Sequence, residues 1–359
     1  MKGPTSRHSL AKKLALLLFS LFFLVVIAEF GARIVWYQSH GPDPLCLMNA
    51  MDRAVTGWNV RFGPGRTTGW SLSKESWQAT FTERGLEPPA DGPRDYFRAA
   101  SPALRKHASI GWLAEEFHDP GRLDIDSRGM QSVGPSDAKR HVLIVGGSVA
   151  FGATASRIDT TYFGQLQKLL APDGGLRISV LAAGAWWSQQ EMAAVVQIPA
   201  DIRPDLVVFL NGLNDLTQNL DIPPERRPAE YARNIAVARD YWLGRGVPVV
   251  IAPQPFLGNK AVMSRFERGI MVLPPATRRL LRAYPSLLEK SRKLADHPGT
   301  SLLDCSSVFD HETATTFVDF WHFSDPGHAL LARRLADGLR PLLAGLSKGE
   351  PDPAGGTIH

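Results

Sequence analysis

From residue 141 onward, short runs of consecutive apolar residues alternate with stretches in which apolar positions recur every three or four residues. The runs at 142–145, 178–181, 206–210, 247–251 and 301–303 are too short for helices and rich in β-branched residues, so they are predicted to be buried strands. The intervening stretches at 162–170, 189–197, 229–243 and 284–295 are predicted to be amphipathic helices. A last helix is expected over 326–343, with Leu330, Leu331, Leu335, Leu339 and Leu342 along one face, Ser324 as its N-cap and Pro326 in its first turn. Strand and helix alternating in this way predict a parallel sheet covered by helices on both faces. The stretch 123–130 alternates apolar and polar residues up to Gly129, which predicts a short strand and turn leading into this domain.

The first forty residues follow another pattern. An apolar run at 14–28, broken only by Ser20, is preceded by Lys2, Arg7, Lys12 and Lys13 and continues more weakly through Phe30, Ile34 and Trp36. A bilayer span needs about 20 residues, which 14–36 supplies if Glu29 and Arg33, four apart, pair near the interface. The basic flank predicts a cytoplasmic amino terminus (1–13), a single-pass anchor in the cytoplasmic membrane and a periplasmic or extracellular remainder. Cleavage as a signal peptide after Val26-Ile27-Ala28 is the competing reading. Residues 37–122, rich in Trp, Gly, Pro and charge, read as an irregular extension; 123–345 as the main domain; and 346–359 as a disordered tail.

Composition narrows the function classes. The chain has 359 residues, and its 40 Lys+Arg against 35 Asp+Glu leave only +5, spread along the chain, so no nucleic-acid partner is predicted. Of the two cysteines, Cys46 and Cys305, neither lies in a metal or redox spacing, and no metal or cofactor is implied. The two are compatible with a disulfide in an oxidising compartment, and their long separation leaves the pairing open.

The candidate chemistry lies just after the predicted strands. Ser148, within Gly146-Gly147-Ser148-Val149-Ala150-Phe151-Gly152, follows the first strand at a glycine-rich turn where a helix should begin. Alone, it reads equally as an N-cap or a phosphate-binding loop, but the lysine of a nucleotide loop is missing. Asp319 and His322 lie three apart before the last helix, so the carboxylate can orient an imidazole whose other nitrogen takes the serine proton. Gly184 follows the second strand and Asn214, in Gly212-Leu213-Asn214-Asp215, the third. With the Ser148 amide, they fit an oxyanion hole. Asp215 is expected to cap the segment that follows it, and His328 to pack in the early helix near the site without a catalytic role. Trp186, Trp187 and Trp321 read either as wall packing or as a platform for an acyl or sugar group. Residues at the carboxyl ends of parallel strands converge on one edge, which would unite these distant positions.

The four blocks in this order resemble the SGNH (GDSL-like) hydrolase family: Gly147-Ser148 with Gly152, Gly184, Gly212-Leu213-Asn214-Asp215, and Asp319-Phe320-Trp321-His322 running on to His328. The resemblance spans about 124–343. It implies a flavodoxin-like three-layer αβα sandwich with a parallel central sheet, and serine esterase chemistry by Ser148, His322 and Asp319 with Ser148, Gly184 and Asn214 as oxyanion donors. Gly147 departs from the pattern, standing where the family usually has Asp. The amino-terminal segment and Ser127-Arg128-Gly129 resemble a membrane-anchored bacterial subgroup.

The resulting expectation is an anchored extracytoplasmic esterase for acyl esters, including O-acetyl groups on an envelope glycan. The alternatives are an O-acyltransferase using the same acyl-enzyme and a noncatalytic glycan-binding protein on a degenerate hydrolase fold. The segment 254–283, poor in regular pattern, is expected to cover the pocket.

Overall fold

The computed structural model describes residues 16–28, 104–119, 121–197, 202–218, 222–270 and 281–346, together with a few isolated positions before residue 88. The runs expected as strands and helices form close to where the pattern places them. The central sheet contains β5 (Met130–Val133), β6 (Arg140–Gly146), β7 (Leu176–Ala182), β8 (Leu206–Asn211), β9 (Val249–Pro253) and β10 (Thr300–Leu302), in the spatial order β10-β9-β8-β6-β7-β5. Five of these strands run parallel, while β5 pairs antiparallel with β7 through Met130↔Leu181 to Val133↔Ile178. The expectation of a purely parallel sheet is corrected at this edge. β5 leads into β6 through residues 134–139 without a crossover helix, so it runs opposite to β6 and hence antiparallel to β7, which is parallel to β6.

The helices are α1 (Tyr162–Leu170), α2 (Ser188–Gln197), the short α3 (Leu213–Thr217), α4 (Arg227–Leu243), α5 (Arg265–Ile270), α6 (Tyr284–Ala295) and α7 (Asp325–Leu346). The chain steps from β6 to β7 in one direction and from β7 back across to β8 in the other. Right-handed crossovers therefore put α1 on one face and α2, α4 and α6 on the opposite one. In agreement, α7 packs on α1, and α4 packs on both α2 and α6. The outcome is three layers around a fully buried central strand, with Val142, Leu143, Ile144 and Val145 all inaccessible. Each such side chain is worth about 1.5–3 kcal/mol in burial. The strand order reverses beside β6, and a crevice at the carboxyl end of the strands is expected there.

Ahead of the sheet lie two hairpins, β1 (Leu104–His107) with β2 (Gly111–Ala114) and β3 (Phe117–Asp119) with β4 (Leu123–Ile125). The strand expected at 123–130 thus divides in two. β4 closes the second hairpin and β5 joins the sheet, separated by a turn in which Asp126 accepts backbone N–H bonds from Arg128 and Met130. At the other end, Ser324 stands at the N-cap position of α7, its carbonyl accepting the His328 N–H at 2.9 Å while its hydroxyl donates to the Thr316 carbonyl at 3.2 Å.

The residues at 16–28 are helical, with exposed Leu, Phe and Val side chains. Among the described residues no helix is both long and apolar enough to cross a membrane. Most of the remainder of the expected anchor, including Glu29 and Arg33, lies outside them, as do most of the extension, Cys46 and the tail from 347. Cys305 is a buried thiol, pushed up to about 12 by burial.

Candidate active site

The loop after β6 does not enter a regular helix. It winds through successive tight turns, closed by Phe151 N–H to Gly147 O at 2.9 Å and Ala153 N–H to Ser148 O at 3.1 Å, and α1 begins only at Tyr162. Across from it, the chain before α7 folds back on itself through a bridge between Phe317 and Phe323 and a bond from Val318 N–H to His322 O. Asp319 organises the tip of this turn. Its Oδ1 accepts the backbone N–H groups of Trp321 and His322, each at 2.7 Å, an Asx-turn arrangement that leaves Oδ2 for the imidazole.

Three ties hold the two loops together. Thr154 donates its hydroxyl to the Phe323 carbonyl at 2.6 Å, the Ser156 amide and hydroxyl both donate to Asp325, and His328 Nε2 bonds the Ala153 carbonyl at 3.1 Å. His328 is therefore a buried packing residue, stacked on Tyr162.

The consequence is a continuous hydrogen-bonded chain. His322 Nε2 lies 2.8 Å from Ser148 Oγ, and His322 Nδ1 lies 2.7 Å from Asp319 Oδ2. A carboxylate can only accept, so Nδ1 carries the proton and Nε2 is left to receive one from the serine. All three side chains are nearly buried, at 8%, 4% and 8% exposure for Ser148, His322 and Asp319, so few waters compete for these bonds.

Asn214 closes the site from the other side, and the turn that contains Gly184 reaches it through the Trp186 carbonyl. Asn214, at the start of α3, donates one Nδ2 hydrogen to the Trp186 carbonyl at 2.8 Å, leaving the second for another acceptor. Gly147 explains its own identity here. A β-carbon at that position would collide with Asn214 Nδ2 and come within 3.0 Å of the Trp186 carbonyl oxygen. The glycine lets the Ser148 loop, the Asn214 amide and the Gly184 turn approach one another closely. The departure from the family pattern thus has a packing reason.

Asp215 does not cap the segment that follows it. Its buried carboxyl accepts the Ser188 amide at 3.2 Å, as well as the Ser188 hydroxyl, and so caps the amino terminus of α2. Nearby, Glu191 accepts from Asn211, whose Oδ1 accepts from Tyr231 at 3.1 Å. Burial is the main cause that pushes Asp215 up to about 7, and burial together with the nearby Asp215 raises Glu191 well above the carboxylate range.

Of the three tryptophans, Trp186 is wall packing, buried at 1% exposure. Trp187 and Trp321 are half-buried, Trp187 edge-on to Trp112 and Trp321 edge-on to Phe320. The segment after β9 lies against the same turn: Leu257 N–H donates to Phe320 O at 3.1 Å, and the Phe256 and Phe320 rings meet at 5.5 Å. It is clamped by Lys260 and Glu267, which nothing in the sequence pattern singles out. Trp112 was equally hidden, in a stretch without periodicity.

The comparisons with known proteins fall on this domain. Solved structures that resemble it include a catalytic mutant of the acetylxylan esterase Axe2 from Geobacillus stearothermophilus, 16% identical with a TM-score of 0.42, covering 56% of this chain and 94% of that one. A lipase/acylhydrolase from Enterococcus faecalis is 15% identical with a TM-score of 0.43, covering 56% and 96%. No curated protein is similar enough in sequence to count as a relative. Residues 144–330, a little over half of the chain, match the GDSL-like Lipase/Acylhydrolase family. The chain belongs to that family, and is an SGNH-type serine hydrolase acting on ester bonds.

Proposed function

We propose that the chain is a membrane-anchored, extracytoplasmic esterase that removes acyl groups, O-acetyl groups of an envelope glycan among them, through an acyl-enzyme on Ser148. The observation that carries the reading is the hydrogen-bonded chain Ser148–His322–Asp319. In the first half-reaction Ser148 Oγ attacks the ester carbonyl as its proton passes to His322 Nε2, and Asp319 stabilises the imidazolium. The amides of Ser148 and Gly184 and the free Asn214 Nδ2 hydrogen donate to the tetrahedral oxyanion. Collapse expels the alcohol, which takes the proton from His322. Water, deprotonated by the same nitrogen, then releases the acid and restores Ser148.

The anchor and the location rest on the apolar run at 14–28 with its basic flank and on the exposed apolar side chains of the helix at 16–28. An exported domain has access to envelope polymers, which motivates the glycan.

The test is hydrolysis of a chromogenic acetyl ester by the detergent-solubilised chain, with Ser148→Ala and His322→Ala beside it. Turnover lost in both variants supports the esterase; turnover indifferent to either sinks it. Adding an acylatable polysaccharide would reveal transfer to a sugar hydroxyl instead of water. Glycan binding without any turnover would make the chain a noncatalytic binder. Membrane fractionation with external protease tests the anchor separately.

A further inference from the structure

The turn that carries Gly184 is held in place by a residue outside the matched domain. Trp112, on β2, donates its indole N–H to the Gly184 carbonyl at 2.9 Å, and its own backbone carbonyl accepts the indole N–H of Trp186, also at 2.9 Å. Between these two tethered residues Ala185 sits at φ 61°, the left-handed region that a β-carbon disfavours. The same hairpin adds a second tie. The Ile110 carbonyl accepts from Gln190 Nε2 at 3.0 Å, and Gln190 Oε1 accepts the Trp187 amide at 3.4 Å.

A strained residue persists only where its surroundings over-determine it. Here the residue lies one position from Gly184, and the next carbonyl, that of Trp186, is the one on which Asn214 aligns. Releasing the tether lets Ala185 relax toward negative φ. That rotation turns the 184–185 peptide, whose carbonyl Trp112 holds, relative to the Trp186 carbonyl, so Gly184, which carries one proposed oxyanion donor, and the acceptor that aligns Asn214 are disturbed by one event.

We propose that Trp112 is a positioning residue for ester cleavage, through which the β1–β2 hairpin keeps the 183–187 turn in its donor-presenting conformation. The inference rests on the proposed esterase reading and extends the working site beyond the family's own residues. It also gives the hairpin, otherwise a small appendage on the sheet, a function.

The test uses the full chain and a chromogenic acetyl ester, with rates normalised to the titrated active sites so that misfolded protein does not count. Trp112→Phe keeps an aromatic side chain, removes the donor and trims the bicyclic indole to a single ring. Removing an oxyanion donor outright costs about 10²–10³ in turnover, and displacing the turn should cost less, about 10-fold in kcat with KM within about twofold. The double variant Trp112→Phe/Ala185→Gly should recover to within about threefold of wild type, because glycine holds positive φ without a tether. A purely structural role for Trp112 would not be rescued in this way. Trp186→Phe removes the reciprocal donor and should lower kcat likewise, which keeps the test decisive if Trp112→Phe fails to fold.

Wild-type kcat in the foldable single variant, a loss confined to KM, or no recovery in the double variant would overturn the inference. Failure of the underlying reading looks different, since the unmutated chain would then hydrolyse no ester, or would do so regardless of Ser148.

Discussion

Lys260 Nζ lies 2.6 Å from Glu267 Oε2, and both side chains are fully inaccessible to water. Their remaining bonding capacity is spent across two segments. Lys260 also donates to the Ala314 carbonyl at 2.6 Å, while Glu267 accepts the amides of Ser264 at 2.9 Å, Thr316 at 2.9 Å and Phe317 at 3.2 Å. The pair therefore rivets the segment after β9 to the 314–317 segment that leads into the Asp319–His322 turn. A buried pair is a poor source of net stability but a costly thing to break, because the survivor is left charged and unpaired.

Lys260→Met should accordingly destabilise the fold by about 3–5 kcal/mol. The double variant Lys260→Met/Glu267→Leu, which removes both charges, should recover part of that loss. Equilibrium urea unfolding of the three proteins checks this. If the single and double variants unfold at the same midpoint, the pair is not coupled as its geometry requires.

Gly147 makes a sharper prediction about activity than about stability. A methyl group there is pressed against the Asn214 amide and the Trp186 carbonyl, not against the hydrophobic core. Gly147→Ala should lower kcat by about 10²-fold through displacement of an oxyanion donor. Gly147→Asp, the residue usual in the family, should do at least as much damage in this chain. Steady-state kinetics with a thermal melt separates the two effects, and an alanine variant with full kcat would mean that the Asn214 amide is not pressed into a working position.

Much of this architecture was legible in the sequence, for a physical reason. Buried parallel strands must be apolar on both faces and helices must repeat every 3.6 residues, so β6 to β10 and helices α1 and α6 announce themselves. The site blocks were legible because Ser148, Gly184, Asn214 and His322 follow strands, and strand ends converge. What stayed hidden was set by tertiary partners. β5 is only four residues long, Met130–Val133, and owes its strand to β7. Asp215 has the look of a local cap, but its acceptors face Ser188, 27 residues away. Lys260 and Glu267 look like surface charges until the 314–317 segment closes over them. Trp112 has no periodic context at all, because its partners lie more than 70 positions ahead.

Asp319→Asn tests the orienting role of the carboxylate apart from its geometry. The amide oxygen can still accept the Trp321 and His322 N–H bonds, so the turn should survive. Its NH2 group, however, would face His322 Nδ1 and favour the tautomer that puts the proton on Nε2, where Ser148 needs an acceptor. By analogy with serine proteases, in which the same change costs about 10⁴ in kcat, a loss of that order with an unchanged melting temperature is expected. A variant retaining most of its activity would mean that Asp319 only shapes the turn.

The buried carboxyls beneath the Asn214 loop should make stability depend on pH in a direction opposite to that of an ordinary salt-bridged acid. Asp215 is raised to about 7, first by burial and also by Glu230, while the bonds from Ser188 pull the other way. Glu191 is also raised, by burial and by the nearby Asp215. Between the ordinary carboxylate range and about pH 7 the folded chain therefore holds protons that the unfolded chain has lost. Their contribution to stability is complete below the unfolded pKa values and is lost as pH rises through the folded ones. The wild-type melting temperature should fall between pH 5 and 8, apart from contributions of other groups. Asp215→Asn is neutral throughout and retains one acceptor for Ser188, so its melting temperature should decline less over that range. An equal or steeper decline in the variant would mean that Asp215 is ionised in the folded protein at neutral pH, with Ser188 and the amino terminus of α2 sufficient to hold the charge.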